Sequence, residues 1–155
     1  MQIRSAETAG FCFGVERAVS LAEQTAKSCA SAVTLGPIIH NRHVVERFEA
    51  MGLREIARAE DAQPGQTVVI RAHGIPVSEQ QTLAARGAKL VDATCPFVKK
   101  IHVIARQAEE AGRHLLIIGT PTHPEVTAIA SYSSDAHVFQ TAEALESWLT
   151  EAPGR

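Results

Sequence analysis

The sequence predicts an α/β protein in which parallel sheets are flanked by helices, and three observations lead to this fold class. Short apolar runs alternate with amphipathic segments, as in a chain of strand–helix units. Residues 68–70 and 115–118 are continuously apolar, which is typical of strands covered on both faces. Gly87 and Gly112 each stand just after a helical segment, where glycine commonly ends a helix.

The elements follow one another in regular order. Strands are expected at residues 2–5, 31–35, 67–71, 89–92, 114–118 and 137–139. Helices are expected at residues 15–29, 42–51, 77–86, 97–111, 124–132 and 142–149. The pattern restarts with a long helix after Cys95, so we expect a first α/β unit at 1–95 and a second, incomplete unit at 96–155. The last five residues look like the start of a connection.

Composition excludes several classes of function. The chain has 155 residues, of which 45% are apolar and 21% charged, as in a soluble globular protein. Its net charge of -2 comes from well-mixed charges, so we expect neither a nucleic-acid nor a membrane partner. No apolar run is long enough to span a bilayer, and the N-terminus lacks the pattern of a signal peptide. We therefore expect a cytoplasmic protein with reduced thiols.

Five loops carry residues that are suited to chemistry. Cys12, His40, His73, Cys95 and His123 each follow a predicted strand within a few residues. In an open parallel sheet, the loops leaving the carboxyl ends of the strands lie along one edge, and ligands bind there. The pattern therefore predicts that these five residues face one cleft.

Two of the three cysteines are candidates for a metal centre. Cys12 lies between Gly10 and Gly14, and Cys95 precedes Pro96, each at the expected start of a helix. A thiol at a helix N-terminus is readily a thiolate, the form that binds metal or attacks a substrate. The alternative for each is a small buried apolar residue.

Cys29 is interpreted differently. It belongs to an apolar stripe along the first predicted helix, which points to a packing role. It also lies at the opposite end of that helix from Cys12, about 25 Å away if the helix is continuous. The two thiols are therefore not expected to share a metal centre.

The histidines divide into two groups. His40, His73 and His123, together with Asn41 and the N–H groups of helix starts, would suit a phosphate or diphosphate. Glu125 is either a first-turn acid that complements a helix dipole or a proton donor in the same cleft. The other histidines are interpreted as structural or solvent-facing: His43, His102, His114 and His137.

With these residues, the chain resembles the N-terminal half of a known family, the 4-hydroxy-3-methylbut-2-enyl diphosphate reductases. Five stretches, in the family's order and covering nearly the whole chain, carry the resemblance. They are Gly10-Phe11-Cys12-Phe13-Gly14-Val15-Glu16-Arg17-Ala18, His40-Asn41-Arg42-His43-Val44-Val45, Arg71-Ala72-His73-Gly74, Asp92-Ala93-Thr94-Cys95-Pro96 and Gly119-Thr120-Pro121-Thr122-His123-Pro124-Glu125-Val126.

The resemblance implies a fold of three similar α/β units arranged with pseudo-symmetry around a [4Fe-4S] cluster, of which this chain has the first unit and part of the second. It implies an iron–sulfur oxidoreductase of isoprenoid biosynthesis that reductively removes an allylic hydroxyl and yields isopentenyl and dimethylallyl diphosphates. Electrons would come from a donor such as flavodoxin or ferredoxin. The implied roles are cluster ligation by Cys12 and Cys95, diphosphate binding by His40, His73 and His123, and proton supply by Glu125.

The chain also departs from the family. The family's third cluster cysteine would fall beyond position 155, so we expect the 155 residues alone to be inactive and to need a missing C-terminal half or a second copy as partner. Two other functions stay open. One is a hydrolase with a single zinc or iron bound by histidines, a cysteine and Glu125, and the other is a non-catalytic remnant that binds diphosphates.

Overall fold

The computed structural model describes residues 2–4 and 6–151, in which strands and helices alternate. The strands are β1 (Val33–Leu35), β2 (Arg54–Ile56), β3 (Thr67–Ile70), β4 (Lys89–Asp92), β5 (Leu115–Ile118) and β6 (Ala136–Phe139). The helices are α1 (Phe13–Ser28), α2 (Arg42–Ala50), α3 (Val77–Ala85), α4 (Pro96–Glu110), α5 (Pro124–Ala130) and α6 (Ala142–Glu151). A short 3-10 helix at Ala59–Asp61 follows β2. None of the helices in these residues has the length and apolarity that crossing a membrane requires.

The strands form two parallel sheets. The first contains four strands in the order β2-β1-β3-β4, and the second contains β5 beside β6. Every pairing in both sheets is parallel. The predicted α/β class with parallel sheets and flanking helices is thus confirmed, and α4 connects the first sheet to the second.

The core lies on both faces of the first sheet, as the continuous apolar pattern of β3 predicts. Val69 packs on one face in a cluster with residues of α1 and α2. Val68 and Ile70 pack on the other face with Leu83 of α3. Because Val68 and Val69 are both fully buried, β3 is the covered central strand that fixes where its following loop emerges.

The same expectation is wrong for β5. Its residues alternate between half-buried and exposed, and Leu116 and Ile118 are 40% and 61% exposed. The second sheet has only two strands among the described residues, and its helices leave one face of β5 open. A continuous apolar run therefore shows that a strand can be covered on both faces, but it does not show what covers it.

Two further differences concern the edges of the fold. The strand predicted at 2–5 is absent from residues 2–4, and Ser5 lies outside the described residues, as do residues 152–155 of the predicted connection. Conversely, β2 was not predicted, because Arg54-Glu55-Ile56 is a short edge strand with two exposed charged residues. Edge strands commonly carry such charges, and these erase the apolar signature of a strand.

Candidate functional site

The loops that follow β1, β3 and β4 continue the hydrogen bonding of the sheet beyond the strand ends. The Ala72 N–H donates to the Ile38 carbonyl at 3.1 Å, and the Ala93 N–H donates to the Ile70 carbonyl at 3.1 Å. The Cys95 N–H in turn donates to the Ala72 carbonyl at 2.9 Å. The segments that carry His40, His73 and Cys95 are therefore held side by side along one edge of the first sheet.

Three imidazoles meet at this edge. The ring centroids of His40 and His73 are 4.8 Å apart, and that of His123 lies 6.3 Å from His40 and 5.9 Å from His73. His123 comes from the loop after β5, so the second sheet contributes to the same place. The structure thus brings together three predicted residues that are separated by 33 and 50 positions along the chain.

His73 is the most enclosed of the three rings. Burial lowers its pKa from 6.5 to about 4, and the neighbouring His40, His123 and Arg71 add to this effect because each disfavours a second positive charge. Its Nδ1 atom is buried without a hydrogen-bond partner. A buried nitrogen without a partner is costly, and a ligand bound beside the three rings is one means of satisfying it.

The His73 loop is fixed from two sides by residues outside the predicted site. The Arg71 Nε donates to the Gly74 carbonyl at 3.1 Å. Gly74 has a φ of 76°, and a Cβ at this position would come within 2.7 Å of the His102 ring. Only glycine fits both the backbone angle and the contact, so Arg71 and His102 together position His73.

His102 was interpreted as structural or solvent-facing, and the structure makes it structural. It is buried, and its ring stacks on Tyr132 with centroids 4.6 Å apart. A signal for this role was available, because His102 occupies the apolar face of α4 together with Val98 and Ala105. The role of Arg71 could have been predicted more simply, because Arg71 stands two residues before His73 in the sequence.

His123 and Glu125 occupy the start of α5. The Glu125 N–H donates to His123 Nδ1 at 3.2 Å, so the proton of a neutral His123 ring sits on Nε2. Thr127 Oγ1 fixes the same loop by donating to the Pro121 carbonyl at 3.1 Å. Glu125 is half-buried and lies two residues after His123, in the first turn of α5.

Cys12 and Cys95 are brought close by a helix rather than by two strands. They are the N-cap residues of α1 and α4, and neither side chain makes a capping hydrogen bond. A Cβ added at Gly14 would overlap the Sγ of Cys95 and lie 3.0 Å from its Cβ. Arg17, one turn further along α1, donates to the Thr94 carbonyl at 3.2 Å. The start of α1 therefore lies directly against the Cys95 loop.

This arrangement fits an iron–sulfur cluster. The donors are two soft thiols on neighbouring loops, both at helix N-termini, where negative charge is stabilised. Gly14 leaves the Sγ of Cys95 uncovered where any larger residue would displace it. Cys29 takes no part, because it ends α1 at the far side, where its Sγ contacts Thr67 Oγ1 at 3.5 Å.

Two neighbours of His40 have roles outside the cluster. The Asn41 side chain caps α2 by accepting a hydrogen bond from the Val44 N–H at 3.3 Å. His43 is exposed to solvent, as predicted, and lies outside the cluster. The histidine cluster thus consists of His40, His73 and His123, without these neighbours.

The fold and these loops define an α/β protein with a combined histidine and cysteine site at one sheet edge. A family model described as LytB protein matches residues 3–153, and the chain belongs to this family.

Several relatives bear the name 4-hydroxy-3-methylbut-2-enyl diphosphate reductase. The proteins of Solidesulfovibrio magneticus and Oleidesulfovibrio alaskensis are 44% and 47% identical, and each match covers 94% of this chain but 54% and 53% of the relative. The Aquifex aeolicus protein of that name is 44% identical over 82% of this chain and 44% of its own length. The chain therefore spans about half the length of the curated relatives it matches.

Solved structures agree with this assignment. One, of (E)-4-hydroxy-3-methyl-but-2-enyl diphosphate reductase, described as the terminal enzyme of the non-mevalonate pathway, matches with a TM-score of 0.80 and 40% identity, covering 94% of this chain and 53% of that one. A second, of the E-1-hydroxy-2-methyl-but-2-enyl-4-diphosphate reductase from Plasmodium falciparum, has a TM-score of 0.84 at 26% identity and covers 90% of this chain and 45% of that one.

Proposed function

We propose that this chain is the N-terminal part of a cytoplasmic oxidoreductase that converts 4-hydroxy-3-methylbut-2-enyl diphosphate to isopentenyl and dimethylallyl diphosphates. The observation that carries the proposal is the meeting of three imidazoles at the same sheet edge as two thiols. Relatives named as this reductase support the choice of substrate. Because they are about twice as long, the activity is proposed for a completed protein. We place the boundary between two α/β units near Cys95, where the first sheet gives way to α4.

The histidine cluster binds the diphosphate. His40, His73 and His123 present ring nitrogens from three loops to one place, and imidazole N–H groups donate well to phosphate oxygens. His73 is neutral in the free protein, since its pKa is about 4. The negative charge of a bound diphosphate favours the protonated ring, so binding raises the pKa of His73.

The two thiols hold the cofactor. Cys12 and Cys95 are the ligands of a [4Fe-4S] cluster that this chain provides, and the other half of a longer protein or a second copy provides the rest. When bound, the cluster supplies the two electrons of the reduction, which it receives from a donor such as flavodoxin or ferredoxin. The protein residues around it keep the thiols on adjacent loops and the diphosphate fixed at the same edge.

Glu125 supplies a proton for the reaction. Removing an allylic hydroxyl reductively consumes two electrons and two protons, because the oxygen leaves as water and carbon gains one hydrogen. Glu125 stands at the first turn of α5, two residues from His123, whose ring accepts its backbone N–H. A carboxyl group anchored in this way lies within reach of a substrate whose diphosphate is held by His123.

Pyrophosphate binding tests the proposed substrate site. Calorimetry should show that His40→Ala, His73→Ala and His123→Ala each weaken binding about 5- to 150-fold, equivalent to about 1–3 kcal/mol for a charge-assisted hydrogen bond. His43→Ala is the matched control, because His43 is a solvent-exposed histidine on α2 and should leave affinity unchanged. Unchanged affinity in all three cluster variants would contradict the assignment.

Metal content separates the reductase from a hydrolase with one metal ion. Among the described residues, three donor side chains have ligand atoms within 4.8 Å of one another, and these are His114, Asp135 and His137. The cluster histidines, the cysteines and Glu125 do not belong to this group. The proposed hydrolase centre therefore lacks a convergent ligand set. After anaerobic reconstitution, iron accompanied by equimolar sulfide would support the cluster. A single metal ion without sulfide would support the hydrolase only if it is still bound by the His114→Gln variant, which lacks a ligand of the separate group.

A further inference from the structure

A second group of metal-binding side chains lies at the opposite end of the second sheet. His114 immediately precedes β5, Asp135 immediately precedes β6, and His137 is the second residue of β6. His123, in contrast, follows the carboxyl end of β5, and the strand between spans about 13 Å. The group is therefore separate from the histidine cluster and plays no part in the proposed function.

The three side chains already converge. Asp135 Oδ2 lies 2.5 Å from His114 Nδ1, and Asp135 Oδ1 lies 2.6 Å from His137 Nε2. One donor atom from each residue falls within 4.8 Å of the others. Ligands of zinc lie about 2.0–2.2 Å from the ion and hence about 3.4 Å from one another in a tetrahedral site. A small rotation of the side chains is enough to admit an ion between them.

The backbone around Asp135 is fixed before any ion binds. Glu109 of α4 accepts hydrogen bonds from the Ser134 N–H at 2.9 Å, the Ser133 hydroxyl at 3.0 Å and the Ser134 hydroxyl at 2.7 Å. The Asp135 carbonyl also accepts the Leu115 N–H at 3.0 Å, which ties the starts of β5 and β6 together. The carboxylate is thus presented on a rigid turn, which lowers the entropy cost of forming a metal site.

We propose that His114, Asp135 and His137 form a binding site for a zinc-type divalent ion, with water in the remaining coordination position. Two imidazoles and one carboxylate suit Zn²⁺ and its neighbours in the transition series, whereas Ca²⁺ and Mg²⁺ prefer oxygen ligands throughout. The side chains are 32%, 44% and 27% exposed, so an ion and a water ligand can reach them. The bound ion clamps the starts of β5 and β6.

Trp148 makes the site measurable. It is the single tryptophan of the chain, and its ring centroid lies 4.6 Å from that of His137 and 6.0 Å from that of His114. A paramagnetic ion bound here lies close to the indole ring and quenches its fluorescence. Titration of the reduced 155-residue protein with Co²⁺ should give saturable quenching with one ion per chain, and Zn²⁺ should reverse it by competition.

Substitutions of the ligands decide the matter. His114→Gln, Asp135→Asn and His137→Gln should each weaken Co²⁺ and Zn²⁺ binding at least tenfold, and His43→Gln should not. Unchanged circular dichroism in each variant verifies that it folds, and this check does not depend on the proposed function. The proposal is overturned if quenching does not saturate below millimolar Co²⁺, or if it persists at full affinity in all three ligand variants.

Discussion

Replacing Gly14 by alanine tests whether the two cysteine loops depend on their close contact. The new Cβ would lie 3.0 Å from the Cβ of Cys95 and would overlap its Sγ. Ordinary carbon–carbon contacts lie at about 3.5–4.0 Å, so either α1 or the Cys95 loop must move. The substitution adds one methyl group and changes no charge, which makes the steric effect easy to isolate.

The expected magnitude follows from two opposing effects. Overpacking by one methyl group costs about 1–3 kcal/mol, while replacing a helical glycine by alanine gains about 0.5–1 kcal/mol. Gly14→Ala should therefore lower the free energy of unfolding by about 1–2 kcal/mol. In a Cys95→Ala background the overlapping sulfur is gone but the 3.0 Å approach between the two Cβ atoms remains. The same substitution should therefore cost about 1 kcal/mol less than it does in the wild type.

Urea unfolding of the reduced protein, with the single and double variants compared, measures this coupling. Gly119→Ala is the matched control: its Cβ would lie 3.0 Å from Val126, so its effect should add to that of Cys95→Ala without coupling. If Gly14→Ala and Cys95→Ala prove additive within about 0.5 kcal/mol, the loops are not in the contact that the cluster site requires.

The remaining predictions concern the proton, the pH dependence and the cofactor. Glu125→Gln, in a protein completed by its other half, should keep pyrophosphate affinity but lose most turnover, unlike the exposed Glu146→Gln; near-normal turnover would locate the proton source elsewhere. Because the folded pKa of His73 is about 4 against an ordinary 6.5, its contribution to stability is full above pH 6.5 and is lost as pH falls towards 4. Between pH 6.5 and pH 4, the free energy of unfolding of His73→Gln should therefore fall by about 1 kcal/mol less than that of the wild type, a value that is discounted for the partial exposure of the ring. Equal decreases in urea unfolding experiments would contradict a buried neutral ring. In the 155-residue polypeptide alone, any reconstituted cluster should be labile and substoichiometric, and turnover should not be sustained, because two thiols cannot enclose a cubane. Anaerobic iron and sulfide counting and an activity assay with a strong reductant test this; a stable, stoichiometric cluster with sustained turnover would contradict it.

Much of the fold was predictable because its signals are local. The apolar run of β3 and the glycines after α3 and α4 place these elements within one or two residues. The rule that ligands bind at the carboxyl ends of parallel strands also anticipated the meeting of His40, His73 and His123. This rule works because strand pairing, rather than side-chain detail, determines where such loops emerge.

What could not be predicted depends on contacts between distant residues. Cys12 was expected to follow a strand, yet the structure positions it through α1, whose Gly14 and Arg17 contact a loop about 80 positions away. The support of Gly74 by His102 is likewise invisible in sequence, because a buried histidine on an apolar helix face resembles any packing residue. No local pattern encodes either contact.

The hydrogen bonds beyond the strand ends couple the loops of the site to one another. Cys95 is bonded through its N–H to Ala72, which is bonded through its own N–H to Ile38, and His40 and His73 lie one or two residues from these atoms. A ligand that immobilises one of these loops therefore removes freedom from its neighbours as well. We therefore expect that the proposed diphosphate, once bound, would meet part of the entropy cost of holding the proposed cluster. By thermodynamic reciprocity, each would then favour binding of the other.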